Sequence, residues 1–305
     1  MTLDKRTDPT PEGLAAMAAE LGPAVHVVDV RPFTRGAMAV DLIELTEDDA
    51  RRDVVLKRFP LEAGAAAENE WDALCFAHSV GLPSPAPLSY NAVNWFGAPS
   101  IVMSALPGSP CHSPTNLDSW AASLAETLVA IHSAADDALP ATLRRPGIWN
   151  RWDGSSLPPG PRRDAIVLAL TELRARSWHT SFCHCDFHPG NVLFRDGAVV
   201  GVVDWPSAKL SPLLNDIGRL RAAVAVWPGG NAPDLVATAY EERSGRSLEG
   251  LAYWDLLAGA VTWEAAMNGR VAPYLEGMKD SISTPEVAER ASAYVDAALA
   301  RTEVS

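Results

Sequence analysis

The chain has 305 residues and a formal net charge of −13, and 48% of its residues are hydrophobic while 21% are charged. This composition excludes an extensively disordered chain and is typical of a globular protein with a large core. The acidic excess argues against a nucleic-acid partner, and it is shared between residues 1–107 and 108–305, so it does not indicate a substrate.

No targeting or membrane segment is expected from the sequence. The N-terminus has no apolar signal region, and no apolar run approaches the length of a membrane span. The spacing and density of the cysteines indicate reduced thiols rather than a disulfide framework: Cys75, Cys111, Cys183 and Cys185. We therefore expect a cytoplasmic protein.

The N-terminal third predicts one helix followed by a small antiparallel sheet. Apolar residues over 11–21 predict the helix, and strands are predicted over 25–30, 37–45 and 54–59 with a polar turn over 46–53. The loop between the first two strands has a single glycine, Gly36.

Lys57 lies between apolar neighbours in the third predicted strand, and a helix is predicted to follow over 65–79. Two glutamates of this helix are candidate partners of the lysine, Glu70 first and Glu68 as the alternative. They are two positions apart, so both cannot face Lys57.

The rest of the chain is predicted to be mainly helical. A proline-rich connection over 81–87 leads to a strand over 100–105. Apolar spacing predicts the later helices, which cover 117–134, 166–177, 233–243, 251–268 and 285–301.

The segment from Phe182 to Lys209 carries the strongest local signal. Two apolar, β-prone runs flank Asp196-Gly197, which predicts a hairpin with a two-residue turn. Counting outward from that turn places Asn191 opposite Val202, and Asp204 on the same face as Val202 because side chains alternate along a strand. Asn191 and Asp204 are therefore a plausible pair of ligands for one cation.

Asp186 precedes Asn191 by five residues, in a loop where Pro189-Gly190 prevents regular structure. A loop carboxylate beside a metal pair suits a base for an attacking hydroxyl group. Two cysteines and two histidines over 183–188 leave a soft-metal site as an alternative, although no second Cys/His pair stands at a structural-zinc spacing.

The wording HCDFHPGNVLF followed by GVVDW resembles the catalytic segment of the aminoglycoside phosphotransferase and choline-kinase-like family. Cys185 stands where that family usually has glycine. The resemblance implies an α+β, two-lobed, protein-kinase-like fold. Residues 1–107 would form a nucleotide-binding lobe with a small antiparallel sheet and one helix, and residues 108–305 a larger, mainly helical lobe for catalysis and the acceptor.

The resemblance also implies roles for individual residues. Asp186 would be the catalytic base, Asn191 and Asp204 would ligate Mg²⁺, and Asp216 would cap the catalytic loop. His132 is interpreted as a packed histidine rather than a catalyst. The nucleotide would be bound by the ion pair, by the loop between the first strands and by the backbone after the strand over 100–105: Lys57, Glu70, Gly36, Met103 and Ala105.

Helical spacing selects candidates for the acceptor site. Tyr253 and Glu264 are eleven residues apart, which places them on one side of the helix predicted over 251–268. We expect both to line the acceptor pocket.

The resemblance thus implies a Mg²⁺-dependent kinase that transfers the γ-phosphate of ATP or GTP to a hydroxyl group of a small acceptor, such as an aminoglycoside or related antibiotic, an amino alcohol or a sugar. The alternative is a kinase-fold sensor or binding protein without turnover, which the glycine-poor loop and Cys185 would suit. A protein kinase is disfavoured because no Ala-Pro-Glu stretch follows Asp204.

Overall fold

The computed structural model describes residues 8–33, 38–135, 138–144, 152–272 and 282–302. The chain forms two compact units, one of Met1–Pro107 with Gly201–Ser207 and one of Gly108–Val200 with Ala208–Ser305. The segment Gly201–Ser207, which carries Asp204, thus belongs with the N-terminal unit although it is far from it in sequence. Among the described residues, no helix is long and apolar enough to cross a membrane.

The first unit is an antiparallel sheet with strand order β1-β2-β3-β5-β4. Its described elements are α1 (Pro11–Leu21), β1 (Val25–Phe33), β2 (Ala39–Glu47), β3 (Ala50–Arg58), α2 (Gly64–Ser79), β4 (Pro87–Asn91) and β5 (Ser100–Ser104). Thr10 caps α1 by accepting a hydrogen bond from the Gly13 amide. Met17 of this helix joins the apolar core formed with Ile43, Leu45 and Leu56 of the sheet.

Two details of this sheet differ from the sequence prediction. The polar turn expected over 46–53 is only Asp48-Asp49, both in the left-handed conformation, and β3 already begins at Ala50. Strand β4 was not predicted because Pro87 suggested a loop. The structure places β4 at the edge of the sheet, where a residue without an N–H group is tolerated.

The second unit is mainly helical. Its described helices are α3 (Leu117–His132), α4 (Pro161–Ala175), α5 (Leu213–Val226), α6 (Ala232–Ser244), α7 (Leu251–Met267) and α8 (Thr284–Thr302). Its short strands are β6 (Ser109–Pro110), β7 (Thr180–Cys183), β8 (Val192–Arg195), β9 (Ala198–Val202, which runs on into the first unit) and β10 (Lys209–Pro212). The Asp196-Gly197 turn between β8 and β9 has positive φ at both residues, as a two-residue hairpin turn requires.

Close backbone packing fixes α5 against α7. A Cβ atom on Gly218 would lie 2.8 Å from the backbone of Trp254, so only glycine permits this approach. Arg221 of α5 donates to both carboxylate oxygens of Asp255 in α7, and Arg301 of α8 binds the same carboxylate. These ion pairs around the buried Asp255 carboxylate join α5, α7 and α8.

Candidate active site

Lys57 lies at the centre of a buried ionic cluster in the first unit. Its Nζ atom is 2.6 Å from Glu70 Oε2 and 2.6 Å from Asp204 Oδ1. Glu70 is buried whereas Glu68 is exposed, so the structure selects Glu70 as the helical partner. β3 positions the lysine and α2 the glutamate, which fixes the ammonium group between two carboxylates.

Electrostatics keep this lysine charged despite its burial. Burial by itself would lower the pKa of Lys57, but the carboxylates of Glu70 and Asp204 raise that pKa above its ordinary value. Burial raises the pKa of Glu70, and Lys57 opposes that shift. The lysine therefore keeps a positive charge at a fixed position, which suits the phosphate groups of a nucleotide, although the two carboxylates outweigh that charge within the cluster.

Asp204 does not continue the strand from which its position was predicted. β9 ends at Val202, and Asp204 has a φ of 68° in the left-handed region. The alternation rule therefore does not apply at Asp204, and the strand position predicted for it was wrong. Trp205 holds this turn instead, because its amide donates to Glu70 and its indole N–H donates to the Val202 carbonyl.

Asp186 lies in the second unit, between β7 and β8, with 41% of its side chain exposed. Its Oδ1 atom is 3.5 Å from Arg219 Nη1 of α5, and its Oδ2 atom is 4.0 Å from His188 Nε2. The side-chain amide of Asn191 donates to the backbone carbonyl of Asp186 at 3.0 Å. This bond fixes Asn191 beside the loop and leaves its amide oxygen for another partner.

Asp216, in the first turn of α5, anchors the loop that carries Asp186. Its carboxylate accepts hydrogen bonds from the amides of His184 at 2.8 Å and Cys185 at 2.6 Å, which confirms the predicted capping role. His132 Nε2 is 3.3 Å from the same carboxylate, and His132 Nδ1 is 2.9 Å from the Tyr240 hydroxyl. His132 is therefore a buried structural histidine, as interpreted from the sequence.

Cys185 has a φ of 61°, in the region that favours glycine. This conformation explains why glycine is usual at this position in the family that the segment resembles. Burial raises the pKa of the Cys185 thiol to about 12, and the nearby Asp216 carboxylate adds to that shift. The thiol is therefore protonated at neutral pH and is not a nucleophile.

The backbone strain at Cys185 leads to a prediction with a defined sign. We expect Cys185→Gly to be more stable than Cys185→Ala by about 1 kcal/mol, because alanine keeps the left-handed penalty that glycine lacks. Chemical denaturation of both variants measures the difference. In an ordinary extended or helical conformation the order would be reversed, so a more stable alanine variant would contradict the left-handed geometry.

The alternative of a soft-metal site over 183–188 gains no support from the geometry. In the described part of the chain, the group whose atoms come within ligand range of one another is His132, Cys183 and Asp216. Asp216 already accepts two backbone hydrogen bonds, and the Cys183 thiol donates to the Ser211 carbonyl. Hydrogen bonding within the chain thus accounts for this group.

Three predicted nucleotide contacts are backbone positions. Gly36 lies outside the described residues. Met103 lies within β5, where it is paired with Val55 of β3, and the Ala105 amide is 3.4 Å from the Asp53 carbonyl. Contacts of Met103 and Ala105 with a nucleobase stay predictions.

The structure does not bring Tyr253 and Glu264 together. The Tyr253 hydroxyl donates to Glu172 of α4 at 2.8 Å, whereas Glu264 accepts from the Trp152 indole at 2.7 Å. Helical spacing placed both on one side of α7, but eleven residues also correspond to about 16 Å along the axis. Tyr253 is thus part of the packing of α4 on α7, and a role for Glu264 in the acceptor site stays a prediction.

A family model described as "Phosphotransferase enzyme family" matches residues 29–257, which is more than half of the chain. The chain belongs to the phosphotransferase enzyme family. It is accordingly a phosphotransferase with an alcohol group as acceptor, and the resemblance seen in the sequence is confirmed.

Solved structures show that this phosphotransferase has the protein-kinase-like fold expected. The crystal structure of aminoglycoside phosphotransferase APH(4)-Ia has a TM-score of 0.63 at 16% identity, covering 94% of this chain and 99% of that chain. The structure of macrolide 2'-phosphotransferase MphH from Brachybacterium faecium has a TM-score of 0.58 at 18% identity, and the match covers 94% of this chain and 98% of that chain. The structure of aminoglycoside-3'-phosphotransferase of type VIII has a TM-score of 0.54 at 21% identity, and the match covers 80% of this chain and 96% of that chain. At these identities the likeness establishes the fold alone.

Sequence reasoning missed two side chains that lie next to the Asp186 carboxylate. Arg219 is 33 residues from Asp186 in sequence and was not among the predicted site residues. His188 was considered only as a soft-metal ligand. The NDIGR segment places Arg219 three residues after the loop anchor Asp216, almost one helical turn, which would have indicated that both contact the same loop.

Proposed function

We propose that this phosphotransferase is a Mg²⁺-dependent small-molecule kinase that transfers the γ-phosphate of ATP to a hydroxyl group. The observation that carries the proposal is the Asp186 loop, in which a half-exposed carboxylate is held on a backbone anchored by the buried Asp216. A base that must meet an exchangeable acceptor needs both exposure and a fixed position.

Two lines of support favour a nucleotide donor in the first unit. The fixed charge of Lys57 suits phosphate oxygens, and Glu70 holds it in place. Structural neighbours include ternary complexes of APH(4)-Ia variants with ADP or AMP-PNP and hygromycin B. Both nucleotides contain adenine, so we favour ATP, with GTP as the alternative. We assign residues 1–107 to nucleotide binding and 108–305 to catalysis and the acceptor.

The residues present fit a magnesium ion. Asn191 offers an amide oxygen, because its side-chain nitrogen donates to the Asp186 carbonyl, and Asp204 offers a carboxylate that also binds Lys57. Amide and carboxylate oxygens are the hard ligands that Mg²⁺ prefers. When bound, the ion would neutralise charge on the phosphate groups.

Asp186 then acts on the acceptor. Its carboxylate orients the hydroxyl group and takes its proton as the acceptor oxygen bonds to the γ-phosphorus. The bond from that phosphorus to the bridging oxygen of the nucleotide breaks, and ADP leaves. We propose that this happens in the cytoplasm, on an aminoglycoside or related antibiotic, an amino alcohol or a sugar.

A kinase-fold sensor without turnover is the second candidate, and Cys185 was one reason for it. The structure shows that cysteine occupies the glycine-type conformation and still donates its amide to Asp216. The loop geometry is thus kept with cysteine in place, which favours the enzyme over the sensor.

Replacement of Asp204 tests the donor site. We expect Asp204→Asn to weaken Mg²⁺-dependent ATP binding at least tenfold, because the substitution removes the charged metal ligand. Isothermal titration calorimetry with and without Mg²⁺ measures the effect. Unchanged Mg²⁺–ATP affinity would overturn the assignment of Asp204.

Asp49→Asn is the matched control for this experiment. Asp49 has a φ of 67°, nearly the same as the 68° of Asp204, and it lies exposed in the turn between β2 and β3. The control variant undergoes the same chemical change at the same backbone conformation. It should bind Mg²⁺–ATP like the wild type.

A further inference from the structure

The negative charge of the Asp186 carboxylate is partly neutralised by neighbouring side chains. Arg219 approaches one oxygen at 3.5 Å, and His188 Nε2 faces the other at 4.0 Å. The Gly190 amide donates to His188 Nδ1 at 3.1 Å, so the ring proton of a neutral His188 is on Nε2, towards Asp186. An ammonium group of an acceptor would have to compete with Arg219 for this carboxylate.

Arg219 retains unused capacity for a ligand. Its contact with Asp186 is longer than the 2.7–2.9 Å typical of charge-assisted hydrogen bonds. Its Nε atom has no hydrogen-bond partner among the described residues but is enclosed, so a ligand would meet the rest of the guanidinium group, on a side chain that is 37% exposed. A guanidinium group with free donors beside the base suits a hydroxyl or anionic oxygen and repels a cation.

Glu264, the acidic residue predicted for the acceptor site, also has its negative charge neutralised by an arginine. Glu264 lies 2.5 Å from Arg270 Nη2 and accepts a hydrogen bond from Trp152. Five further acidic side chains among the described residues of the second unit are paired with arginine: Asp164, Asp234, Asp255, Glu286 and Asp296. Recognition of a polyamine needs carboxylates that are not already neutralised.

An aromatic pair lies near Gly190 of the loop. The ring of His112 packs against that of Trp227 in a tilted arrangement, with centroids 5.1 Å apart and an interplanar angle of 30°, and both side chains are half-buried. His112 also lies beside Gly190, since a Cβ atom there would be 3.8 Å from its Cε1 atom. Trp227 directly follows the end of α5, the helix that carries Arg219. We call this pair the His112–Trp227 shelf.

Building on the proposed function, we propose that the acceptor is a hydroxylated ring compound that is neutral or anionic around the reacting hydroxyl group, and not a polyamine. Arg219 selects against a cation next to Asp186. The shelf packs against a ring of the acceptor. This substrate class differs from gentamicin, a polyamine whose complex with APH(2")-IIa is among the structural neighbours.

Matched acceptor pairs test this inference. Glucosamine and gentamicin are each compared with their fully N-acetylated forms, which keep the hydroxyl groups and lose the positive charges. We expect the wild type to prefer the acetylated member by about tenfold in kcat/KM, the effect of one nearby unit charge at a half-exposed site. Arg219→Gln should reduce this preference by about tenfold, whereas Arg195→Gln, at an exposed hairpin position, should leave it unchanged.

The preference is a ratio within one variant, so a change in the basicity of Asp186 cancels from it. Binding of the same pairs to the full-length protein is measured in parallel by saturation-transfer NMR. A binding preference for the acetylated members without phosphate transfer would refute the proposed function and support the inference. Phosphate transfer that favours the amines, or a ratio that Arg219→Gln does not alter, would refute the inference and leave the function intact. Absence of binding for all four compounds would also refute the inference.

Discussion

Asp186→Asn is expected to lower turnover by about 10²- to 10⁴-fold, the range found for loss of a general base. The affinity for Mg²⁺–ATP should remain within about twofold of the wild type, because the carboxylate acts on the acceptor. The half-exposed ion pair with Arg219 contributes little to stability, so folding should be almost unaffected. Steady-state kinetics and calorimetry with ATP together measure this separation.

Asp196→Asn is the control for that experiment. Asp196 lies in the same segment, at the tip of the hairpin, with 93% of its side chain exposed. The turnover of the Asp196→Asn variant should equal that of the wild type. If Asp186→Asn kept turnover within about threefold of the wild type, Asp186 would not be the base.

Asp216→Asn is expected to cost about 3–5 kcal/mol in the free energy of unfolding and to reduce turnover as well. The carboxylate is fully buried and accepts the His184 and Cys185 amides, and an amide group would direct its own donors at some of these N–H groups. Loss of this anchor releases the loop that positions Asp186. Urea unfolding measures the stability, and kinetics measure the turnover.

The pH dependence of this loss has a defined sign. Burial by itself would raise the pKa of Asp216, but hydrogen bonds from His132 and the His184 amide lower it below its ordinary 3.8. A lowered pKa contributes stability that is present above the ordinary pKa and is lost as the pH falls through the lowered value. The difference between wild type and Asp216→Asn should thus be constant above about pH 5 and shrink below pH 3.8.

Asp164→Asn is the control that distinguishes the loss of the buried hydrogen bonds of Asp216 from the loss of a favourable charge at a helix N-terminus. Asp164 lies in the first turn of α4, as Asp216 does in α5, but its side chain is 66% exposed. The control should lose less than about 1 kcal/mol. Equal losses in the two variants would show that the dipole, and not the buried hydrogen bonds, accounts for the role of Asp216.

Local signals predicted most of the elements. The helix over 11–21 has the expected bounds, and the Asp196-Gly197 turn forms as expected, because backbone preference acts over a few residues. The bounds of β3 and the existence of β4 were missed. Both depend on pairing with strands elsewhere in the sheet, which overrides the loop character of their own residues.

The sequence by itself determined the family, the loop with Asp186 and Asn191, and a lysine in a strand before a glutamate-bearing helix, because these features depend on spacing along the chain. Only the tertiary structure decided that Glu70 meets Lys57, that 201–207 joins the first unit, and that Arg219 compensates Asp186. Periodicity defines an angle around a helix or the side of a strand. It does not define which distant segments come into contact, because burial and ion pairing depend on the packing of the whole unit.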